Sequence, residues 1–71
     1  MPPSAEERIE LCIRHLKDHV AYRGEGRGVT SFRKFYAYYL KGMRDSLRVR
    51  ISLMAHAEAA PIEEALRVYM A

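Results

Sequence analysis

The stretch with the clearest chemical character is residues 32–42, which reads FRKFYAYYLKG. Five of its eleven residues are aromatic and three are basic. Lysine and arginine neutralise phosphates, and an exposed tyrosine ring stacks on a base or packs against a ribose. This combination of residue types is therefore typical of a surface that follows the backbone of a nucleic acid.

The aromatic residues fall on two faces when the stretch is placed on a helix. Residues that recur every three or four positions form one stripe, and the inward stripe is expected to hold Val29, Phe32, Tyr36, Tyr39, Leu40 and Met43. Lys34, Tyr38 and Lys41 stand at i, i+4 and i+7 and so share the outward face. Arg33, Ala37 and Lys41 stand four residues apart and form an adjacent line on the same helix. The side chain of Ala37 is small and leaves room for a bulky partner.

Basic residues are concentrated in the middle of the chain. Residues 23–50 hold eight basic residues and only two acidic ones, a net charge of +6, whereas the remainder carries −3 and the whole chain +3. This asymmetry indicates either a polyanionic partner or a solvated basic face. For the first alternative, the expected RNA contacts are Arg27, Arg33, Lys34, Tyr38, Lys41, Arg44, Arg48 and Arg50.

Length and composition limit the class of protein. Seventy-one residues are enough for one small domain. A single cysteine excludes an internal disulfide and fits a reducing compartment. The start, MPPSAEERIE, lacks the apolar run of a signal peptide, and no window is apolar enough to span a bilayer. We therefore expect a cytoplasmic monomer without a membrane partner.

The patterns predict four helices and no strand. Ser4 and Glu7 have the spacing of a capping box at the first helix start. Glycines 24, 26 and 28 in GEGRG are expected to form a connection after that helix, and Pro61 fits the first turn of the last one. The predicted fold is an all-α, compact antiparallel four-helix bundle, with residues 1–4 as a linker remnant and helices at about 5–23, 30–41, 46–57 and 61–70.

Apolar stripes on the other helices complete the predicted core. The first helix is expected to contribute Ile9, Cys12, Ile13, Leu16 and Val20. The third is expected to contribute Leu47, Ile51 and Met54. The fourth is expected to contribute Ile62, Ala65, Leu66 and Tyr69.

Several residue groups resemble catalytic or metal sites but are better explained by structure. Cys12, His15 and His19 lie roughly on one helical face, and His56 could add a fourth zinc ligand. However, Cys12 belongs to an apolar stripe, where cysteine behaves as a small hydrophobic residue. GEGRG resembles a phosphate-binding glycine loop, but it follows no strand. Glu63 and Glu64 resemble paired catalytic carboxylates, but adjacent residues point apart on a helix, and acidic residues suit a helix start. We therefore predict no metal ligands and no catalytic residues.

The second helix resembles the C-terminal helical domain of bacterial tRNA-dihydrouridine synthases. That family has Arg-Lys-His, two residues, Trp-Tyr, one residue and Lys-Gly. This chain has Arg33, Lys34, Phe35 in place of histidine, Tyr38 in place of tryptophan, then Tyr39, Lys41 and Gly42. The flanking RIELCIRHLKDHVAYRGEGRGV, SLRVRI and IEEAL are similar to the neighbouring helices, so the resemblance extends from about Glu6 to Tyr69.

The resemblance implies that the chain docks tRNA for an enzyme whose catalytic part lies elsewhere. In that family a (β/α)₈ barrel precedes the helical domain and reduces a tRNA uridine with FMN and NADPH. Seventy-one residues cannot form such a barrel, so we expect an excised or free-standing tRNA-binding domain that is not itself an enzyme and holds no cofactor. Its expected partners are tRNA and the catalytic barrel, with Pro2 and Pro3 as the linker. The alternative is a helical interaction bundle that binds an acidic protein.

Overall fold

The computed structural model describes residues 4–70, and these form four α-helices with no strand among them. Helix α1 spans Ala5–Arg23, α2 Glu25–Leu40, α3 Ser46–Met54 and α4 Ala59–Met70. The start of α1 contacts the end of α2, and the end of α1 contacts the start of α2, so these two helices are antiparallel. Helix α1 also packs on α4, and α3 contacts both α2 and α4. The predicted all-α four-helix bundle is confirmed. Of the expected linker remnant 1–4, residues 1–3 lie outside the described residues, and Ser4 is the N-cap of α1.

The predicted capping box at the start of α1 is present. The Ser4 hydroxyl accepts a hydrogen bond from the Glu7 amide at 3.1 Å, and the Glu7 carboxylate accepts one from the Ser4 amide at 3.1 Å. These two bonds satisfy backbone donors that a helix start leaves free. The hydrogen bond from the Ser4 amide to the Glu7 carboxylate lowers the pKa of Glu7, and the Ser4 hydroxyl lowers it further.

The start of α2 was predicted wrongly, because GEGRG is not a loop. Only Gly24 separates α1 from α2, with φ at 91°, a value that side-chain-bearing residues rarely adopt. Its carbonyl already accepts from the Gly28 amide at 2.7 Å, which makes the first turn of α2. Helix α2 therefore begins at Glu25 and not near Thr30.

Gly28 serves the packing of α2 on α1. It is buried, and a Cβ atom built on it would lie 2.8 Å from the Val20 Cα and 3.1 Å from the Val20 Cγ2. The absence of a side chain lets the two helix backbones come close at this point. Gly26 lies two residues earlier, and a Cβ atom there would meet nothing within 4 Å.

The core comes mainly from the predicted stripes of α1, α2 and α4. Most of the predicted residues are buried, while Val20, Tyr39, Met43, Ala65 and Tyr69 are partly buried and pack against the others. The two largest buried side chains are Tyr36 and Phe32, whose rings meet edge to face at 5.6 Å. Burial raises the pKa of Tyr36 to about 12, and its hydroxyl has no hydrogen-bond partner among the described residues.

The orientation of α3 differs from the prediction. Leu47, Ile51 and Met54 are exposed, and Leu53 is the residue of α3 that enters the core. Val49, one turn before Leu53, packs against the core from the same side. The short helix thus carries two apolar stripes, and tertiary packing buries the one that the spacing did not single out.

The ends of α3 and α4 also differ from the prediction. Helix α3 ends at Met54, three residues earlier than expected, and α4 begins at Ala59, two residues earlier. The Ala59 amide donates to the carboxylate of Glu25, which lies at the start of α2. The Glu25 carboxylate thus satisfies a backbone amide at the start of α4 for which no nearby residue supplies an acceptor. Pro61 still lies in the first turn of α4, as expected.

We predict opposite effects for two glycine substitutions in the first turn of α2. Gly28→Ala should lower the free energy of unfolding by about 1–3 kcal/mol, because the new methyl group forces α1 and α2 apart. Gly26→Ala should raise it by about 0.5–1 kcal/mol, since alanine favours the helix and the space is open. Urea unfolding followed by circular dichroism would measure both changes. Equal effects would contradict the close approach at Gly28.

We predict that Tyr36→Phe leaves stability unchanged or raises it by about 1–2 kcal/mol, because it removes a buried hydroxyl that lacks a partner. Tyr69→Phe is the matched control. The Tyr69 hydroxyl donates to the carbonyl of Arg44, so its loss should cost about 0.5–1.5 kcal/mol. Thermal unfolding of the two variants gives the comparison, and a larger loss for Tyr36→Phe would show that its hydroxyl is bonded.

Candidate nucleic-acid interface

The buried stripe of α2 sets which residues of this helix face outward. Val29, Phe32, Tyr36 and Leu40 are buried. The opposite side carries Lys34, Tyr38 and Ala37, all exposed, and exposed Lys41 follows directly after the helix end. The Tyr38 side chain is 72% exposed, and its ring lies edge-on to Tyr39 at 5.4 Å. The structure therefore places Lys34, Tyr38 and Lys41 as the spacing predicted.

Arg27 joins this outward face because α2 starts earlier than predicted. It lies seven residues before Lys34 and eleven before Tyr38, which is close to two and three helical turns. Arg27 is exposed, and it borders a shallow surface depression with Arg23, Gly26, Thr30 and Ser31. We call the line of Arg27, Lys34, Tyr38 and Lys41 the α2 face. At 1.5 Å per residue its length is about 21 Å.

Arg33 is turned away from the α2 face toward α3. Its side chain is partly buried, and its Nη2 donates to the Met54 carbonyl at 3.0 Å. The Nε atom is buried without a partner among the described residues. Arg33 thus binds the last carbonyl of α3, and one of its donors is already engaged. Its predicted role as a phosphate contact stays a prediction.

The turn after α2 is held by side chains from both α1 and α4. Arg8 of α1 donates from Nη2 to the carbonyl of Lys41 at 2.7 Å and to that of Tyr38 at 3.3 Å. Tyr69 of α4 donates to the carbonyl of Arg44. Arg8 also places a positive charge at the negative end of the α2 dipole. Sequence reasoning missed Arg8, since a contact between residues 33 positions apart leaves no periodic signal.

The remaining predicted contacts lie on other elements. Arg44 is exposed in the turn before α3, Arg48 is exposed on α3, and Arg50 on the same helix is partly buried. Asp45 is exposed next to Arg44 and adopts a left-handed backbone with φ at 55°. Four of the eight predicted residues therefore lie on the α2 face. The other four are Arg33 on another side of α2, Arg44 in the turn, and Arg48 and Arg50 on α3.

The basic residues of the middle segment have no carboxylate partners in the described part of the chain. The ion pairs among residues 4–70 join Lys17 to Glu63 and Arg67 to both Glu10 and Glu63, on α1 and α4. Glu25, one of the two acids within residues 23–50, is bonded to the amide of Ala59. The charge of the α2 face is thus not neutralised by these ion pairs.

A group of aromatic and imidazole rings lines the seam between α1 and α2. His15 is bonded through Nδ1 to the Tyr39 hydroxyl at 2.9 Å, and His19 through Nε2 to the Ser31 hydroxyl at 2.6 Å. Phe35 packs on His15 with ring centroids 4.7 Å apart. The Lys34 ammonium lies 5.3 Å from the Phe35 ring centroid, a distance at which a cation is attracted to the ring face. This seam thus borders the α2 face at Lys34.

The charge state of His19 responds to the same basic surroundings. Its pKa lies below the ordinary value, and burial is the main cause. The positive charges of Arg23 and Lys34, and that of a protonated His15, lower it further. The folded chain therefore favours neutral His19.

Three of the residues considered as zinc ligands are engaged elsewhere: Cys12 is buried in the core, and His15 and His19 are bonded to Tyr39 and Ser31. Burial raises the pKa of the Cys12 thiol to about 12, which opposes the thiolate that a metal needs. Within residues 4–70 no group of three or more histidine, cysteine or acidic side chains is placed to hold a metal ion. Over the same residues, none of the helices has both the length and the apolar character to span a bilayer.

We predict that the His19 imidazole titrates below pH 6.5 in NMR spectra, and that Lys34→Gln moves its midpoint upward because one positive charge is removed. Since the folded-state pKa is lowered, the contribution of His19 to stability is present above pH 6.5 and is lost as the pH falls through the folded value. Lys17→Gln is the control, since Lys17 is exposed and is not among the causes of the lowered His19 pKa. A midpoint that ignores Lys34→Gln would contradict this arrangement.

No family model, curated protein or solved structure matches this chain. The similarity to tRNA-dihydrouridine synthases consequently remains a hypothesis that depends on the residues of α2 and its flanks.

Proposed function

We propose that this chain is an RNA-binding module whose contact surface is the α2 face. The observation that carries the proposal is the line of three exposed cations and one exposed tyrosine on the side of α2 opposite the core. Cations spaced along a helix neutralise successive phosphates, and the Tyr38 ring offers a stacking surface for a base or a ribose. The arrangement binds through backbone and stacking contacts and carries no code for reading base edges.

Two further features support the proposal. Arg8 and Tyr69 hold the turn after α2 from two sides, so Lys41 and Arg44 are attached to a fixed backbone. The acidic residues that make ion pairs lie on α1 and α4. Arg44, Arg48 and Arg50 would widen the RNA surface beyond α2, and Arg33 would add a donor at its edge.

We further propose that the bound RNA is tRNA and that the chain serves a tRNA-dihydrouridine synthase. The support is the pattern Arg33, Lys34, Tyr39, Lys41 and Gly42, with Tyr38 at the tryptophan position, together with the order of the flanking helices. In this proposal the module holds tRNA against a separate catalytic barrel that uses FMN and NADPH. The chain itself contributes binding and orientation and no chemical step.

An acidic protein is the alternative partner of the α2 face, and salt dependence separates the two. The affinity for RNA falls with salt because counterions are released, with a log–log slope of about −0.7 for each single-stranded phosphate neutralised. A protein partner releases fewer condensed ions and gives a shallower slope.

We predict that the double variant Lys34→Ala/Lys41→Ala binds bulk tRNA roughly ten-fold more weakly at about 50 mM salt and has a salt slope smaller by about 1.4. Fluorescence anisotropy between about 50 and 200 mM salt would measure both quantities. Both lysines are exposed, so circular dichroism should show an unchanged fold. Arg33 is left intact because its bond to Met54 is structural.

The matched control is Arg14→Ala/Lys17→Ala, which removes the same charge from exposed positions on α1. It should leave the affinity for tRNA within about two-fold, since these residues lie beside the acids of α1 and α4. Equal losses in the two double variants would mean that binding follows total charge only. No loss in either would overturn the α2 face as the contact surface.

A further inference from the structure

The outward side of α3 is an apolar stripe without a partner in the described part of the fold. The side chains of Leu47, Ile51 and Met54 are 60%, 62% and 40% exposed. They stand at i, i+4 and i+7, so they form one continuous line along the helix. Single exposed apolar residues are ordinary on protein surfaces, but a contiguous line of them indicates an interaction site. We call this line the α3 stripe.

Arginines flank the α3 stripe on both sides. At 100° per residue, Arg48 lies beside Ile51 on one edge, and Arg50 lies beside Met54 on the other. The sequence of α3, SLRVRISLM, contains no acidic residue. Among residues 4–70 neither arginine forms an ion pair with a carboxylate. The stripe is therefore an apolar line between two positive edges.

This charge pattern disfavours pairing of the α3 stripe with itself. In a two-fold symmetric dimer the same patch meets its own copy. Arg48 and Arg50 would then face the arginines of the second copy, and like charges across a contact are repulsive. An occupant with acidic flanks instead places a carboxylate opposite each arginine.

We propose that the α3 stripe is the docking site for an acidic amphipathic helix of a partner protein. The partner helix would place apolar side chains, spaced by three and four residues, against Leu47, Ile51 and Met54. Glutamate or aspartate on both of its flanks would face Arg48 and Arg50. Helix α3 is nine residues long, or about 13 Å, which matches two to three turns of a partner helix.

RNA and a membrane surface fit the α3 stripe less well. RNA presents phosphates, sugars and bases, and the centre of the stripe offers neither a cation nor a ring to them. Membrane-surface helices immerse a broad apolar face, whereas this helix presents three apolar side chains over nine residues. Arg48 and Arg50 are shared with the wider RNA surface proposed above, but the three stripe residues carry no charge, so substitutions in the stripe test this proposal separately from RNA binding.

The test uses the whole chain, labelled with ¹⁵N, and a designed helical peptide of about 18 residues, or five turns. The probe peptide has leucines spaced by three and four residues, with glutamates on both flanks. A second peptide has the same leucines with lysines on the flanks. We expect amide shifts concentrated in residues 46–54 with the glutamate peptide, and at least ten-fold weaker binding of the lysine peptide.

Two variants separate the apolar and the charged parts of the site. Leu47→Ser/Ile51→Ser should weaken the glutamate peptide at least ten-fold and leave tRNA affinity within two-fold, since both side chains lie outside the core. Arg48→Glu/Arg50→Glu should reverse the preference, so that the lysine peptide binds better. Leu11→Ser, which changes an exposed leucine on α1, is the control and should alter neither peptide.

The proposal is overturned by any of four results. The two peptides could bind equally, or the shifts could lie outside residues 46–54. Sedimentation could show dimers of the wild-type chain that Leu47→Ser/Ile51→Ser abolishes, which would make a second copy the occupant. Vesicles of phosphatidylserine and phosphatidylcholine could shift the same amides while the glutamate peptide does not, which would make the stripe a membrane contact.

Discussion

The close approach of α1 and α2 at Gly28 is the constraint on which the rest of the structure depends. A single residue, Gly24, connects the two helices, so α2 must reverse direction at once and lie against α1 from its first turn. This close approach depends on a residue without a side chain, because a Cβ atom on Gly28 would lie 2.8 Å from the Val20 Cα. The contact at Gly28 then sets how the following turns of α2 face α1.

The candidate interface lies on the side of α2 opposite the stripe that packs into the core. With Phe32 and Tyr36 turned into the core, Lys34 and Tyr38 must point outward, and Arg27 falls in line with them because the helix begins at Glu25. The free carbonyls at the end of α2 would repel phosphates near Lys41. Arg8 binds two of these carbonyls, so the residue that anchors the turn also offsets its negative charge. The buried stripe and the candidate interface are therefore two faces of the same helix, α2.

The sequence was sufficient to predict a helix start or a buried stripe where local signals and tertiary packing agree. The capping box at Ser4, the stripe of α1 and the stripe around Ile62 and Leu66 were all predicted and are present. The start of α2 was missed because a glycine that permits close helix packing looks in sequence like a glycine that breaks a helix. The bond between Glu25 and Ala59 could not be predicted either, since it joins residues 34 positions apart without a shared period.

Helix α3 shows how packing against other helices decides between two orientations that its own sequence allows. Its sequence allows either Leu47 and Ile51 or Val49 and Leu53 to face the core, because apolar residues lie on both sides. In the structure Leu53 is buried and Val49 packs against the core, while Arg33 of α2 binds the carbonyl of Met54 at the end of α3. These contacts with the rest of the bundle leave Leu47 and Ile51 on the exposed side of the helix. Tertiary packing, which the spacing within α3 does not record, therefore determines which apolar face stays open to a partner.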